Sequence, residues 1–87
     1  MCGIIGITSS KPVSSAIINS LRKLEYRGYD SAGLATLSDG IINEVKSEGR
    51  VENLEKNLAT KSMLGSVGIG HVRWATHGIP NTINAHP

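Results

Sequence analysis

An Asp-Gly dipeptide near the middle of the chain is the sequence feature that most restricts its fold. Asp39-Gly40 separates two short, mainly apolar runs at positions 32–37 and 41–46. Asp and Gly tolerate the positive backbone φ angles of a two-residue turn, so Asp-Gly between such runs is a strong signal for a β-hairpin. The sequence therefore predicts an antiparallel pair of strands that meet at this turn.

Two further strands are predicted outside the hairpin. The Ile-rich segment from Cys2 to Thr8 is interrupted by glycine and predicts a short buried strand. Residues 66–74 predict another strand. The glycine-rich run at 65–70 is not followed by Gly-Lys-Ser/Thr, so tight packing along a strand explains it better than a phosphate-binding loop.

The spacing of apolar residues predicts two amphipathic helices. The first begins near Pro12, after serines that can cap it, and runs to about Tyr26, with Gly28 as its stop signal. Its apolar stripe repeats at intervals of three and four residues and consists of Val13, Ala16, Ile17, Leu21 and Leu24. A second, shorter helix follows Gly49 and has its apolar positions at Val51, Leu54 and Leu58.

The predicted order is strand, helix, strand, strand, helix, strand, and then a loop from residue 75 to residue 87. A hairpin mixed with helices favours an α+β or layered α/β fold over a repeated βαβ arrangement. The chain has 87 residues, which is enough for one small domain and leaves no room for a second.

Composition excludes several classes of function. The formal net charge is +2, and the chain has one Trp, two Tyr and no Phe. These values disfavour a nucleic-acid surface or an aromatic platform for stacked bases. No apolar run approaches the length of about 20 residues that a membrane span needs, and no targeting segment is visible, so we expect a reducing, cytoplasmic environment.

Cys2 is the only cysteine, so it excludes an internal disulfide and a CxxC metal site. If Met1 is removed, the residue carries both a thiol nucleophile and a free α-amine, which can act as its base. One alternative is a small apolar side chain at the start of a buried strand. Others are a Cys–His nucleophile pair with one of the three histidines and a zinc site. The intervals of six and nine residues between those histidines match no usual zinc signature.

Polar side chains are most concentrated where the last predicted strand ends. Residues 71–78 read His-Val-Arg-Trp-Ala-Thr-His-Gly. The planar guanidinium of Arg73 suits a carboxylate, and Thr76 and His77 add hydrogen-bonding groups. The alternative is an ordinary strand end with a surface arginine and a packed tryptophan. The segment 26–33 allows two interpretations as well: a helix cap followed by a turn, or a loop that places Arg27 and Gly28 against another element.

Four segments in this order resemble the class II glutamine amidotransferase family, whose nucleophile is an N-terminal cysteine. They are Cys-Gly-Ile-Ile-Gly at 2–6, Leu-Glu-Tyr-Arg-Gly-Tyr-Asp-Ser-Ala-Gly at 24–33, the segment 71–78, and Asn-Ala-His-Pro at 84–87. The resemblance covers the whole chain. It implies the α+β, four-layer αββα sandwich of the N-terminal-nucleophile hydrolases, of which residues 1–87 form the N-terminal portion within a glutaminase domain.

The resemblance also implies a set of roles. Cys2 is the expected nucleophile, while Arg27 and Gly28 belong to the loop that holds its terminus. The expected substrate-binding residues are Arg73, which grips the α-carboxylate of glutamine, Trp74 in a gate, and Thr76 and His77 in the pocket; His86 supports the loop. No metal or cofactor is implied. The expected reaction is hydrolysis of L-glutamine, which delivers ammonia for glucosamine 6-phosphate synthesis from fructose 6-phosphate.

The family's glutaminase domain continues well beyond the segments matched here. The resemblance places its oxyanion-hole Asn-Gly pair, the acidic residue for the substrate amine and the sugar-isomerase domain downstream of Pro87, in a protein expected to be a homodimer. We therefore expect the 87-residue chain to be inactive alone. A sandwich cut partway should also leave strand edges and a sheet face uncovered, with marginal stability or oligomerisation. The alternative function is a non-catalytic module of the same fold that binds glutamine or a partner.

Overall fold

The computed structural model describes residues 2–59, 63–75, 78–79 and 81–87. The elements follow the predicted order, with a short 3-10 helix added after the first α-helix. Their bounds are β1 Gly3–Thr8, α1 Ser14–Leu24, the 3-10 helix Glu25–Arg27, β2 Ser31–Ser38, β3 Ile41–Glu48, α2 Val51–Leu58 and β4 Val67–Arg73.

All four strands form one antiparallel sheet in the order β1-β4-β2-β3. The predicted hairpin is confirmed: β2 pairs with β3 from Ser31↔Glu48 to Ser38↔Ile41. Asp39 and Gly40 take φ angles of 51° and 77° at its turn, which is the left-handed geometry that the Asp-Gly pair favours. The central strand β2 therefore joins the hairpin to the β1–β4 pair, in which the first and last strands of the chain lie side by side.

The prediction that the first strand is buried is wrong. β1 lies at the sheet edge and pairs only with β4. Ile5 and Ile7 pack against the core, but Ile4 points the other way and keeps 69% of its surface exposed. The run of isoleucines shows that a strand forms, but its burial depends on which neighbours cover each face.

The first helix begins later and faces the core differently than predicted. It starts at Ser14, its N-cap Val13 makes no side-chain capping bond, and the Val13 N–H donates instead to the Gly65 carbonyl at 3.0 Å. Ala16 is exposed, whereas Ile18, which the predicted stripe omitted, is buried. A tertiary contact therefore replaces the predicted serine cap, and the apolar stripe is rotated.

Two glycines on β4 let α1 pack close to the sheet. A Cβ added at Gly68 would lie 2.8 Å from Ile17 Cδ1, and one at Gly70 would lie 2.5 Å from Ile17 Cγ2. Ile17 is itself fully buried. The interpretation of this glycine-rich run as a packing surface is confirmed, because any side chain there would push the helix off the sheet.

Both helices pack on one face of the sheet, and much of the opposite face is open. The open face presents the exposed apolar side chains of Ile4, Leu37, Ile42, Val67 and Ile69. This confirms the expected uncovered face, while marginal stability and oligomerisation remain predictions. Among the described residues, no helix is long and apolar enough to cross a membrane.

Candidate active site

Cys2 lies just before β1 and faces the end of β4, because the β1–β4 register pairs Gly3 with Val72. Its thiol is free and exposed, so the interpretation as a buried apolar residue is wrong. The Trp74 N–H donates to Cys2 Sγ at 3.4 Å, and Sγ lies 3.8 Å from the Trp74 carbonyl oxygen. The backbone thus holds an exposed thiol at an open strand end.

Arg27 holds the backbone of Cys2 in place. Its Nε–H donates to the Cys2 carbonyl at 2.9 Å, across a separation of 25 residues. The 3-10 helix Glu25–Arg27 directs this side chain back toward β1. Of the two interpretations of the segment 26–33, the structure therefore supports a loop that places Arg27 against another element.

Gly28 is required for close approach rather than for a left-handed turn. The backbone of Gly28 is extended, with a φ of −177°. The residue nevertheless ends the 3-10 helix, and its N–H donates to the Glu25 carbonyl. A Cβ at this position would lie 2.5 Å from the Arg73 carbonyl carbon and 2.8 Å from the Trp74 nitrogen. The absent side chain therefore lets the loop press against the peptide group that contacts the Cys2 thiol.

Arg73 is buried at the end of β4, with only 6% of its surface exposed. The predicted alternative of an ordinary surface arginine is therefore wrong. Its guanidinium donates to the carbonyl of Gly78 at 3.4 Å and to that of Ile79 at 3.5 Å. These bonds tie the loop after β4 to the strand that carries the arginine.

Trp74 is partly open to solvent, with 45% of its surface exposed. Its ring meets that of Tyr29 edge-on with centroids 5.7 Å apart, and the Arg50 guanidinium lies 5.0 Å from the Tyr29 centroid. The tryptophan is therefore packed on one side against Tyr29, as the alternative expected, and open to solvent on the other. Its backbone contacts the thiol, while its side chain lies at the rim of the site.

A groove of about 560 Å³ brings these groups together. It is lined by Cys2, Lys46, Arg73, Trp74, Ile83, Asn84, Ala85, His86 and Pro87. The Cys2 thiol thus shares a cavity with the cations of Arg73 and Lys46, which suits a ligand with a carboxylate. Of the other predicted binding residues, Thr76 and His77 lie outside the described part of the chain.

His71 and His86 meet on the open face of the sheet, with ring centroids 4.9 Å apart. The His86 carbonyl oxygen would lie 2.2 Å from a Cβ at Gly33, so the C-terminal segment crosses β2 at a glycine. Burial lowers the pKa of His71 below 6.5, nearby His86 and Arg73 lower it further, and Asp30 opposes the shift. His86 thus helps to dock the loop 81–87, as its predicted supporting role requires.

The pKa of His71 predicts that the fold loses stability as the pH falls. In the unfolded chain this histidine takes up a proton near pH 6.5, whereas folded His71 stays neutral until a lower pH. The free energy of unfolding therefore has its full value above about pH 6.5 and declines as the pH falls below it. Urea denaturation of the protein at about pH 7.5 and pH 5.5 should show the decline. In His71→Phe, which keeps a ring against His86, the decline should be smaller; an equal decline would contradict the assignment.

Sequence reasoning missed three residues at or beside the groove. Lys46 lies on β3 and Asn84 in the terminal loop, where the Asn84 side chain donates to the Ile79 carbonyl at 2.9 Å. Asp30, taken as a turn residue, accepts a hydrogen bond from the Ala75 N–H. For Lys46 no local signal exists, because the sheet register alone brings it to the site.

Within residues 2–59, 63–75, 78–79 and 81–87, no three His, Cys, Asp or Glu side chains come together as metal ligands. The described part of the chain therefore contains no cluster of ligands for the zinc alternative. His77, one of its predicted ligands, lies outside the described residues. Among the described residues, the Cys–His alternative can involve His71 or His86, which contact each other.

No protein-family model matches the chain. Curated relatives that match all 87 residues carry the name glutamine–fructose-6-phosphate aminotransferase [isomerizing]. They include those of Agrobacterium fabrum, 54% identical, Clostridium acetobutylicum, 56%, and Mesorhizobium japonicum, 52%. The predicted resemblance to the class II glutamine amidotransferase family is confirmed over all 87 residues. The chain spans 14% of the length of those relatives.

A solved structure shows the fold of the chain. The glutamine phosphoribosylpyrophosphate amidotransferase of B. subtilis superposes with a TM-score of 0.83 at 24% identity, over all of this chain and 18% of that one. The predicted α+β fold of the N-terminal-nucleophile type is confirmed. The chain supplies one sheet and the helical layer on one of its faces.

Proposed function

We propose that this amidotransferase chain carries the nucleophile of a glutaminase, in a complete protein that transfers ammonia from L-glutamine to fructose 6-phosphate and forms glucosamine 6-phosphate. One observation carries the proposal: the exposed Cys2 thiol and the buried Arg73 guanidinium line one groove. The relatives' printed name, glutamine–fructose-6-phosphate aminotransferase, supports the choice of acceptor.

In the proposed reaction, removal of Met1 frees the α-amine of Cys2 to act as its base. An α-amine has a reference pKa of about 7.7–8.0 and is partly neutral at cellular pH. It takes the thiol proton while Sγ attacks the side-chain carbonyl carbon of glutamine, and it returns the proton as the C–N bond breaks and ammonia leaves. Water then hydrolyses the thioester to glutamate and regenerates the thiol.

The other predicted site residues receive supporting roles. Arg27 and Gly28 hold the backbone beside the nucleophile, because the first binds the Cys2 carbonyl and the second admits the Arg73–Trp74 peptide. Arg73 binds the α-carboxylate of glutamine as a planar fork. Trp74 borders the groove as part of a gate, and Thr76 and His77 complete the pocket.

We further propose that residues 1–87 form the N-terminal part of one glutaminase domain. The relatives are far longer, and the remaining part of the domain, a sugar-isomerase domain and a homodimeric assembly complete the enzyme. No cofactor is needed, because thiol and amine supply the chemistry. A nucleophilic thiol also fits a reducing cytoplasm. The 87 residues alone should hydrolyse no glutamine.

The test is mass spectrometry of the full-length protein after incubation with an electrophilic glutamine analogue. The proposal expects loss of Met1 and one analogue adduct on the peptide that carries Cys2, with protection by excess glutamine. A processed terminus without a glutamine-protectable adduct would contradict it. A retained Met1 with glutamine binding intact would favour the alternative, a non-catalytic glutamine- or partner-binding module of the same fold.

Replacement of Arg73 tests the binding half of the site. Arg73→Ala removes the proposed carboxylate partner, so KM for glutamine should rise by about 10- to 100-fold, which corresponds to the loss of a charged hydrogen-bond pair. Arg73→Lys keeps the charge but not the planar fork, so it should restore only part of the affinity. Steady-state glutaminase kinetics with each variant measure this, and an unchanged KM in Arg73→Ala would exclude the role.

A further inference from the structure

We infer that Asp30 is a positioning residue for the Cys2 nucleophile and acts through the backbone of Trp74 and Ala75. The inference rests on the proposed function only in giving Cys2 a nucleophilic role. It concerns a residue for which the sequence suggests no more than a turn.

Among the described residues, Asp30 forms hydrogen bonds with four different partners. One carboxylate oxygen, Oδ2, accepts from the Ala75 N–H, and the other, Oδ1, accepts from the Ser31 hydroxyl at 3.2 Å. The Asp30 N–H donates to the Arg73 carbonyl at 3.3 Å. Its carbonyl accepts from the Gly49 N–H at 2.8 Å, which ties it to the end of β3 as well.

Two of these bonds bracket Trp74. β4 ends at Arg73, so residues 74 and 75 lie beyond the strand. Asp30 thus binds two consecutive peptide groups, one on each side of Trp74. Its N–H binds the Arg73 carbonyl, which shares a peptide group with the Trp74 N–H that donates to Cys2 Sγ at 3.4 Å. Its carboxylate binds the Ala75 N–H of the next peptide group, whose Trp74 carbonyl oxygen lies 3.8 Å from Sγ.

An N–H aimed at sulfur favours the thiolate, and the thiolate is the reactive form of cysteine. Without the Asp30 carboxylate, the Ala75 N–H loses its partner, and the backbone is held only on the N-terminal side of Trp74, by the bond from the Asp30 N–H to the Arg73 carbonyl. The Trp74 backbone can then shift relative to the thiol. A turn role explains the Ser31 contact alone. The bond to Ala75, which is 45 residues away, indicates that this carboxylate organises the nucleophile's surroundings.

The test measures how fast iodoacetamide alkylates Cys2 in the full-length protein, as adduct on the peptide that carries Cys2, at fixed neutral pH. Asp30→Ala should slow alkylation by at least about fivefold, since a hydrogen bond to an ionised group contributes about that or more. Asp30→Asn should stay within about twofold of wild type, because the amide oxygen can accept from Ala75 while its NH2 donates to the Ser31 hydroxyl.

Glu48→Ala is the matched control, because it removes one carboxylate from the strand position paired with Ser31 and should leave the rate unchanged. An Asp30→Ala rate equal to or above wild type would overturn the inference, as would an equal loss in Glu48→Ala. If the Asp30→Ala variant does not fold, hydrogen exchange of the Ala75 amide is measured in the wild-type protein instead. Exchange of the Ala75 N–H as fast as in an unstructured peptide would overturn the inference. Iodoacetamide needs only the thiol, so these outcomes are independent of labelling by the glutamine analogue.

Discussion

Cys2→Ala is expected to abolish glutamine hydrolysis by the full-length protein, with a loss in kcat of about 10⁴-fold or more, as for other nucleophile deletions. No other thiol exists in this chain to replace it, and Sγ is the atom to which the Trp74 backbone donates in the groove. The assay is release of glutamate from glutamine by purified enzyme, with binding of glutamine checked separately by calorimetry.

Cys2→Ser serves as the matched variant, because it keeps the size of the side chain and the neighbouring contacts. A hydroxyl is a much weaker acid than a thiol, so the α-amine cannot activate it to the same extent. We expect activity close to that of Cys2→Ala with glutamine binding preserved. Activity within about tenfold of wild type in either variant would exclude Cys2 as the nucleophile, since such a loss is far below the effect of removing one.

Gly28→Ala is expected to lower the free energy of unfolding by about 2–4 kcal/mol, the range of severe overpacking. The added methyl carbon would overlap backbone atoms of Arg73 and Trp74, with the nearest at 2.5 Å. Backbone in a paired strand cannot move aside as a flexible side chain can. The displaced peptide is the one that contacts the thiol, so alkylation of Cys2 should slow together with the loss of stability.

Gly6→Ala is the control for that substitution. Gly6 lies in β1, where the backbone is extended as it is at Gly28. The nearest atom to a Cβ added at Gly6 is Ile69 Cγ2 at 3.8 Å, an ordinary contact distance. Urea unfolding of the two variants should place Gly6→Ala within about 0.5 kcal/mol of wild type, as for surface substitutions. Similar values for both would show that the close approach at Gly28 is not what makes glycine necessary.

Turn chemistry and local motifs were readable from the sequence because they depend on neighbouring residues. The Asp39-Gly40 turn has the left-handed geometry that this dipeptide favours, so the hairpin could be predicted from two neighbouring residues. The segments that carry Cys2 and Arg73 were also recognisable, and the fold places both in one groove. These are properties of short stretches of chain.

Tertiary structure alone decided burial and partners. Three features depend on which elements pack together. They are the exposed side of β1, the start of α1 at a backbone contact with Gly65, and the approach of Lys46 to the groove. Glycine is needed at position 28 because that residue lies against Arg73, and Asp30 accepts a hydrogen bond from Ala75. In both cases the two residues are about 45 positions apart in the sequence. Local sequence determined which residues carry the chemistry, whereas the sheet register determined which of them meet, because distances across a sheet are set by pairing and not by proximity along the chain.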